Sequence, residues 1–459
     1  MDTSPAAAAV LLEKRTILSA AFQWKSAASP VEFLRAFPDE VRIFFNSPEN
    51  ETTFAGVGNA VTLKASGSSR MQQISDSIAQ LAAQFRPADN YPGGLALPRF
   101  FGGFSFDAEF QPGGNWRGFE AASFMLPRCL LVSTHDEKWL VINRVVLEGS
   151  DAKISYSEFE DEFEQFEQSV IASLETVPNE TSDSFQIELL TSQQEWINAV
   201  NAVKWEIQGG GLEKVVLARA KRLYFAGEVD PFIALNELSK QYPDCTKFLF
   251  SFSPGSAFLG ATPEYLAAVQ DGALRTMALA GSIRRGGTPE EDKRLGQQLM
   301  GSAKDQREHD FVVNFLRETL GPLANGLAIS QEPQLHELQN IQHLRTDVQA
   351  SLRDGVDILD VVAALHPTPA LGGLPRQRAL EMIAELETES RGWYGAPVGW
   401  LDGHGNGEFV VGIRSGVVQG NQACIYAGAG IVADSDPIGE WHETELKFEP
   451  MGKAFTGSV

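Results

Sequence analysis

Hydrophobic and polar positions along the second half of the chain predict helices and hairpins joined by short turns. Ser192 and Glu195 form a capping box, and apolar residues then recur at helical spacing until the chain reaches Gly209. The run KVVLARAKRLYF, residues 214–225, is predicted to be a strand. The stretch 398–431 is predicted to be a further group of hairpin strands, with turns at GHGNG and QGN.

The order of these elements predicts the fold class. Turn sequences at 253–256 (SPGS) and at Asp271-Gly272 each separate two apolar runs, so the strands occur in hairpins rather than in βαβ units. This order favours an α+β fold, in which large antiparallel β-sheets are faced by helices.

One polar stretch, TVPNETSDSF at 176–185, is the only plausible seam in the chain. It separates an N-terminal part, residues 1–185, from residues 186–459, and we expect the two to form one integrated structural unit. Just before the seam, SEFEDEFEQFEQ places phenylalanines at helical intervals among carboxylates. This pattern predicts a surface amphipathic helix rather than an acidic interaction tail.

A cluster of charged residues follows a glycine-rich turn in YAGAGIVADSDPIGEWHETELKFEP, residues 426–450. Asp436 and Pro437 are a start signal for a helix. Glu440, Glu443 and Lys447 then share one helix face. Two carboxylates and an amine beside such a turn suit Mg²⁺ that holds an anionic substrate. The alternative interpretation is a charged face that only contacts solvent.

A second carboxylate cluster lies in SAKDQREHDFVVNFLRETL, from Ser302 onward. Asp305 and Glu308 are three residues apart, and Glu308 heads a helically spaced series of apolar residues that begins at Phe311. We therefore expect Glu308 on the buried face of a helix. A buried carboxylate needs a partner, and a metal ion shared with Glu443 would be one.

Eight motifs resemble, in order and in rough spacing, those of the chorismate-utilising enzymes, and within them those of isochorismate synthases. They are LEKVVLARA (212–220), FLGATPEYL (258–266), ALAGSIRRG (278–286), SAKDQREHD (302–310), LHPTPALGG (365–373), RGWYGAPVGW (391–400), FVVGIRSG (409–416) and GAGIVADSDPIGEW (428–441). They cover the C-terminal three-fifths of the chain. The N-terminal part matches loosely, at 98–107 and 124–133.

The resemblance implies an acid–base pair. Lys214 falls on the lysine with which isochorismate and salicylate synthases activate water, where anthranilate synthases usually carry glutamine. Strand alternation places Lys214 on the side of Val216, and a lysine that extends to solvent is the alternative. Glu264, after Pro263, falls on the general acid of the family, whereas its position alone also suits a turn carboxylate.

The resemblance also implies a Mg²⁺ site and a pocket for chorismate, which carries two carboxylates. The metal ligands would be Glu308 and Glu443, with Asp305 and Glu440 acting through water. Ala280 stands where aminodeoxychorismate synthases tend to carry a nucleophilic lysine. The residues expected to bind the substrate are Ala280, His366, Tyr394, Arg414, Gly428, Gly430 and Lys447. Five of them have a structural alternative: Arg414 could be a surface strand residue, Tyr394 a core aromatic, Gly428 and Gly430 turn formers, and His366 a hydrogen-bonded core residue.

Composition narrows the choice of partners. The chain has 37 Lys and Arg against 60 Asp and Glu, a net charge of −23, and a pI of about 4.8. This charge argues against nucleic acid and anionic membranes. Three scattered cysteines fit neither a disulfide framework nor a zinc site, so we expect a cytoplasmic protein. The apolar run at 6–12 is too short to span a bilayer and is expected to be a helix or a frayed arm.

The resemblance therefore implies a Mg²⁺-dependent isochorismate synthase, an isomerase of menaquinone, siderophore or salicylate metabolism, and we expect a monomer or a weak homodimer. Salicylate synthase, which also eliminates pyruvate, is the nearest alternative. An aminating relative and a non-catalytic chorismate-binding subunit are the others.

Overall fold

The structure is a computed structural model that describes residues 15–88, 91–92, 97–147, 156–174, 185–337 and 341–457. The strands are β1 (Arg15–Gln23), β2 (Arg42–Ser47), β3 (Thr52–Ala65), β4 (Phe85–Pro87), β5 (Arg99–Phe104), β6 (Ala122–Ser133), β7 (Lys138–Leu147), β8 (Phe185–Leu189), β9 (Lys214–Phe225), β10 (Thr246–Ser253), β11 (Ser256–Thr262), β12 (Tyr265–Gln270), β13 (Ala273–Arg284), β14 (Ala324–Ile329), β15 (Gln334–Glu337), β16 (Ile341–Leu352), β17 (Gly373–Leu374), β18 (Pro397–Asp402), β19 (Gly407–Val411), β20 (Ser415–Gln419) and β21 (Gln422–Ile431).

The helices are α1 (Pro30–Arg35), α2 (Arg70–Ala82), α3 (Tyr156–Ser173), α4 (Gln193–Gln208), α5 (Pro231–Gln241), α6 (Pro289–Met300), α7 (Ala303–Leu320), α8 (Ile358–Leu365), α9 (Arg376–Leu386) and α10 (Pro437–Thr456). Short 3₁₀ turns lie at Gly114–Trp116 and Gly321–Leu323. No helix within the described ranges is long and apolar enough to cross a membrane.

The strands are connected in one large, almost entirely antiparallel sheet. Strand β3 pairs with both β2 and β6. From β2 the pairing continues through β10, β11, β20 and β21 to β9. From β6 it continues through β5, β18, β19, β12 and β13 to β16. Among the described strands, only β1 and β4 pair in parallel. These sheets and the helices against them confirm the predicted α+β class.

The hairpin and helix predictions are largely confirmed. Helix α4 has the capping box of Ser192 and Glu195 and ends against Gly209, and β9 spans 214–225. The group at 398–431 differs in one respect, because β19 pairs with β12 and β20 pairs with β11, so these two neighbours in sequence do not pair with each other. It is therefore two hairpins rather than a continuous meander.

The amphipathic helix predicted before the seam is also confirmed. Helix α3 buries Phe159 and Phe166 and packs on β1 and β7. The apolar run at 6–12 lies outside the described residues, as do residues 176–184 of the seam. Strands from either side of residue 185 pair with each other, β2 with β10 and β5 with β18.

Helices pack against the strands that carry the predicted site. Trp196, Val200 and Val203 of α4 join Val215 and Leu217 of β9 in one apolar cluster. Helix α10 packs on β21, and α7 packs on β13. The face of β9 that carries Lys214 therefore lies opposite the face that packs on α4.

Candidate active site

Lys214 begins β9 and lies across the neighbouring strand β21. A Cβ atom on Gly430 would come within 2.8 Å of Lys214 Cε and 3.4 Å of Nζ, so a larger residue there would displace the end of the lysine side chain. Burial lowers the pKa of Lys214, and the carboxylate of Glu308 partly offsets this effect. Glu264 and Glu443 also raise the pKa, whereas Lys447 lowers it. The lysine is thus surrounded by the residues that the sequence placed in the site.

Glu264 lies in the turn between β11 and β12, as predicted. Its backbone NH donates to Thr262 Oγ1 at 3.1 Å, and its carbonyl oxygen accepts from Val411 N at 3.0 Å. Burial raises the pKa of Glu264 to about 7, although Lys214 and Lys447 act in the opposite direction. The side chain keeps part of its surface accessible. Glu264 can therefore hold a proton near neutral pH and deliver it to a molecule bound beside it.

Helix α10 begins as the sequence predicted. Asp436 caps it by accepting from Gly439 N at 2.8 Å. Lys447 Nζ donates to Gly428 O at 2.9 Å and to Glu443 Oε1 at 2.6 Å. Burial raises the pKa of Glu440, and the negative charge of Glu443 raises it further. The shared face of Glu440, Glu443 and Lys447 is confirmed, and it carries an excess of negative charge.

The predicted orientation of helix α7 is wrong. Glu308 is 56% exposed, and its nearest described ion-pair partner is Lys304 at 3.9 Å. Phe311 is 41% exposed, while the buried residues are His309, Leu316 and Leu320. The helix is rotated so that the residue after Glu308 points into the core. Glu308 therefore faces solvent on the side of Lys214. Because Glu308 is not buried, it does not need a partner to compensate for burial.

His309 connects α7 to the sheet, and no pattern in the sequence singled it out. It is 1% exposed, with Nδ1 3.3 Å from Ala280 O and Nε2 2.7 Å from Thr346 Oγ1. Burial lowers the pKa of His309. Asp305 lies one turn earlier, and a Cβ on Gly281 would come within 3.1 Å of Asp305 Cβ. The structure thus brings Ala280 and Asp305 to the same junction between β13 and α7.

Tyr394 lies against Gly428 on the same face of β21 as Lys214, and Arg414 lies close enough to affect it. A Cβ on Gly428 would approach Tyr394 Oη to 3.4 Å. Burial raises the pKa of Tyr394 to about 12, so its hydroxyl is a hydrogen-bond donor at neutral pH. The charge of Arg414 is close enough to lower this pKa in part. Arg414 has a φ of 49°, a left-handed conformation that non-glycine residues rarely adopt.

Ser282 and His343 are two further polar groups that the sequence interpretation missed. Ser282 Oγ is 2.7 Å from His343 Nδ1. Burial lowers the pKa of His343 to about 4, and the charge of Arg414 contributes. The two residues are brought together by the pairing of β13 with β16, across a bulge between Ala280 and Ser282. The register after this bulge brings a neutral histidine to Ser282, two residues from the predicted site residue Ala280.

His366 is placed differently from the other predicted residues. It is 5% exposed, and Nε2 lies 3.4 Å from Phe106 O. Burial lowers its pKa to about 3, and the nearby charge of Arg70 adds to this effect. None of the contacts and charges described around His366 involves Lys214 or Glu264. This placement matches a hydrogen-bonded core histidine.

The charged cluster fits a hard divalent cation that is only partly held by protein. It combines four carboxylates with two lysines: Glu264, Glu308, Glu440 and Glu443 with Lys214 and Lys447. Carboxylate oxygens suit Mg²⁺, and the mutual repulsion that raises the pKa of Glu440 favours an added positive charge. Within the described residues, no group of three or more His, Cys, Asp or Glu side chains is close enough to hold a metal. The donor set therefore fits an ion completed by water and substrate oxygens, not a closed protein cage.

Comparisons with known proteins agree with this architecture. The sequence pattern of the family described as "Chorismate binding enzyme" matches residues 6–456. The chain is 34% identical over 430 residues to "Isochorismate synthase MenF" of Bacillus subtilis (strain 168), with 91% of this chain and 88% of that protein covered. It is also 34% identical over 446 residues to "Salicylate biosynthesis isochorismate synthase" of Pseudomonas aeruginosa, covering 97% and 91%.

Solved structures give the same result. The menaquinone-specific isochorismate synthase MenF from Escherichia coli superposes with a TM-score of 0.78 at 26% identity, covering 96% of this chain and 94% of that one. Anthranilate synthase component I from Streptococcus pneumoniae shares the fold, with a TM-score of 0.68 at 20% identity and coverages of 98% and 93%. Because the family pattern spans almost the whole sequence and both curated relatives align over most of their length, the chain belongs to the chorismate-binding enzyme family.

Proposed function

We propose that the protein is an isochorismate synthase, which isomerises chorismate to isochorismate. The observation that carries the proposal is the pairing of Lys214, whose pKa is lowered by burial, with Glu264, whose pKa burial raises to about 7. A base and an acid whose environments move both pKa values toward neutrality suit proton transfer at physiological pH. The names of the similar proteins support the same activity.

The chemistry needs one base and one acid. Lys214 takes a proton from water as the water oxygen bonds to the ring carbon next to the one that carries the carboxylate. The ring double bond shifts, and the hydroxyl leaves with the proton of Glu264 as a new water molecule. One water enters and one leaves, so substrate and product are isomers. Proton transfer from the Lys214 ammonium to the Glu264 carboxylate, directly or through solvent, restores both groups.

Substrate recognition must overcome the acidic character of the site. Arg414 can bind a carboxylate with two parallel hydrogen bonds, and the protonated Tyr394 hydroxyl can donate another. Gly428 and Gly430 expose backbone that a substrate can approach closely. Lys447 contributes positive charge beside Glu443. These groups surround the face of β21 on which Lys214 lies.

Mg²⁺ is part of the proposal, with Glu308 and Glu443 as its direct ligands and Asp305 and Glu440 acting through water. When bound, the ion would neutralise the ring carboxylate of chorismate. Ala280 offers no side-chain nucleophile where the related aminodeoxychorismate synthases tend to carry lysine. Water is therefore the proposed nucleophile. All three cysteines are buried and unpaired, which supports a reducing, cytoplasmic location.

The test is direct. Purified protein is incubated with chorismate and Mg²⁺ near neutral pH, and the products are separated by chromatography. We expect isochorismate, with Lys214→Ala as the inactive control. Salicylate with stoichiometric pyruvate as the main products would instead identify a salicylate synthase. Chorismate binding without turnover would identify a non-catalytic binding subunit.

A further inference from the structure

His309 is the buried contact that anchors the first half of helix α7. Leu316 and Leu320 are the other buried residues of this helix, and they lie in its last three turns. Around His309, the residues Lys304, Arg307, Glu308, Asp310 and Phe311 are all exposed. The turns that carry Asp305 and Glu308 therefore have little apolar packing to hold their orientation. Their position depends on a few specific contacts.

The two hydrogen bonds of His309 have defined directions. The carbonyl oxygen of Ala280 can only accept, so Nδ1 carries the proton and donates to it. In the neutral ring, Nε2 is then an acceptor, and the hydroxyl of Thr346 donates to it. Ala280 belongs to β13 and Thr346 to β16, so one side chain ties the helix to two paired strands.

A second contact acts on the same turn. Gly281 has a φ of 74° at the bulge in β13. Asp305 packs over it, because a Cβ on Gly281 would approach Asp305 Cβ to 3.1 Å and Asp305 O to 3.4 Å. Together, the bulge and the histidine set the distance and the rotation of α7 relative to β13. Glu308 lies between these two contacts along the helix.

We propose that His309 and Thr346 are positioning residues that hold Asp305 and Glu308 in the orientation from which they bind a divalent cation. This inference rests on the proposed function and extends it to residues that touch neither the substrate nor the ion. Groups that orient metal ligands typically change metal affinity by 10- to 100-fold when they are removed. A purely structural contact would lower stability without this effect on affinity.

Thr346 gives the clearest test, because His309 itself is retained when Thr346 is substituted. Thr346→Val removes the hydroxyl while keeping the shape, and Thr346→Ser keeps the hydroxyl. The matched control is Thr276→Val. Thr276 is 4% exposed against 3% for Thr346, and its hydroxyl donates to Leu266 O at 2.7 Å. The two threonines belong to pairs of the same ladder that are separated by one other pair, Thr276 with Val348 and Ala278 with Thr346.

Mg²⁺ is titrated calorimetrically into each full-length variant without chorismate, and melting temperature, kcat and the Mg²⁺ concentration for half-maximal turnover are measured in parallel. We expect Thr346→Val to weaken Mg²⁺ binding by roughly tenfold, with kcat largely recovered at saturating Mg²⁺. Thr346→Ser should bind nearly as the unsubstituted protein does. Thr276→Val should lower the melting temperature and leave Mg²⁺ affinity unchanged. His309→Leu should have a larger effect than Thr346→Val, and if it fails to fold, the threonine series still decides.

The outcomes separate this inference from the proposed function. Unchanged affinity in Thr346→Val, or equal losses in Thr346→Val and Thr276→Val, would overturn the positioning role while the enzymatic activity stands. If the unsubstituted protein forms isochorismate but binds no Mg²⁺, the positioning role and the metal site fail and the activity remains. If it neither binds Mg²⁺ nor converts chorismate, both proposals fail together.

Discussion

Gly430→Ala tests whether the position of Lys214 matters for catalysis. The new Cβ would lie 2.8 Å from Lys214 Cε, whereas ordinary contacts begin at 3.4 Å. The lysine terminus must therefore move by about 0.6 Å or more, and a misplacement of about 1 Å can cost roughly 10²-fold in rate. The colliding atoms belong to the flexible end of a side chain, so the strand itself need not shift. We expect kcat to fall by roughly 10²-fold.

The stability of Gly430→Ala should rise slightly or stay unchanged. Gly430 does not have a positive φ, so alanine fits the backbone there. Replacing glycine at such a site stabilises a protein by about 0.4–1 kcal/mol through the unfolded state. The same substitution at Gly428, on the same strand, meets Leu217 O at 3.1 Å and Tyr394 Oη at 3.4 Å and does not reach the lysine. We expect Gly428→Ala to act mainly on the KM for chorismate.

The assay measures kcat and KM by product chromatography, with the melting temperature of each variant by calorimetry. Gly430→Ala with a normal melting temperature and a kcat reduced by roughly 10²-fold would support Lys214 as the base. A normal kcat would show that the position of the Lys214 amine is not critical, and would contradict its role as the base. A loss of kcat that follows a loss of stability would mean that the strand, not the lysine, has been disturbed.

Three further predictions concern the acid, the metal and the nucleophile. Glu264→Gln should cut kcat by roughly 10²- to 10⁴-fold. In the unsubstituted protein, kcat/KM should fall as the pH rises through about 7, because Glu264 then loses the proton it must donate. A pH profile without this fall would mean that another group is the acid. EDTA should abolish turnover and Mg²⁺ should restore it, and turnover that persists in EDTA would contradict the metal site. Glu308→Ala should remove activity, whereas Asp305→Ala and Glu440→Ala should only weaken Mg²⁺ affinity. In H₂¹⁸O, mass spectrometry should find the label in the new hydroxyl of isochorismate, and an unlabelled product would exclude attack by water.

Local signals explain what the sequence predicted well. The start of α10 depends on Asp436 and Pro437, which act within one turn, so its position and the shared face of Glu440, Glu443 and Lys447 follow from neighbouring residues. The same holds for the capping box of α4 and the turns of the hairpins. These interactions need no knowledge of the rest of the fold.

The rotation of α7 and the histidines of the site required tertiary information. Apolar residues around Phe311 predicted one buried face, but the helix instead buries His309, because Ala280 O and Thr346 Oγ1 satisfy both ring nitrogens there. A polar residue with two partners can thus replace an apolar one in the core. His343 was missed because its contact with Ser282 spans 61 residues and depends on a bulge that no local pattern indicates.

The carboxylates that fit a cation also govern the proton of Lys214, and this links metal binding to the base. Burial lowers the pKa of Lys214, while the negative charges of Glu308 and Glu443 raise it. On the proposed function, a cation bound by these two carboxylates would cancel most of their effect, so the pKa of Lys214 would fall further and more of the lysine would be neutral. Glu308 is exposed, so its field on Lys214 is screened by water until a bound ligand excludes that water. The protein carries a net charge of −23. The protonation states around Lys214 depend on the charges close to it, not on this total. An acidic protein can therefore still maintain a site for a dianion.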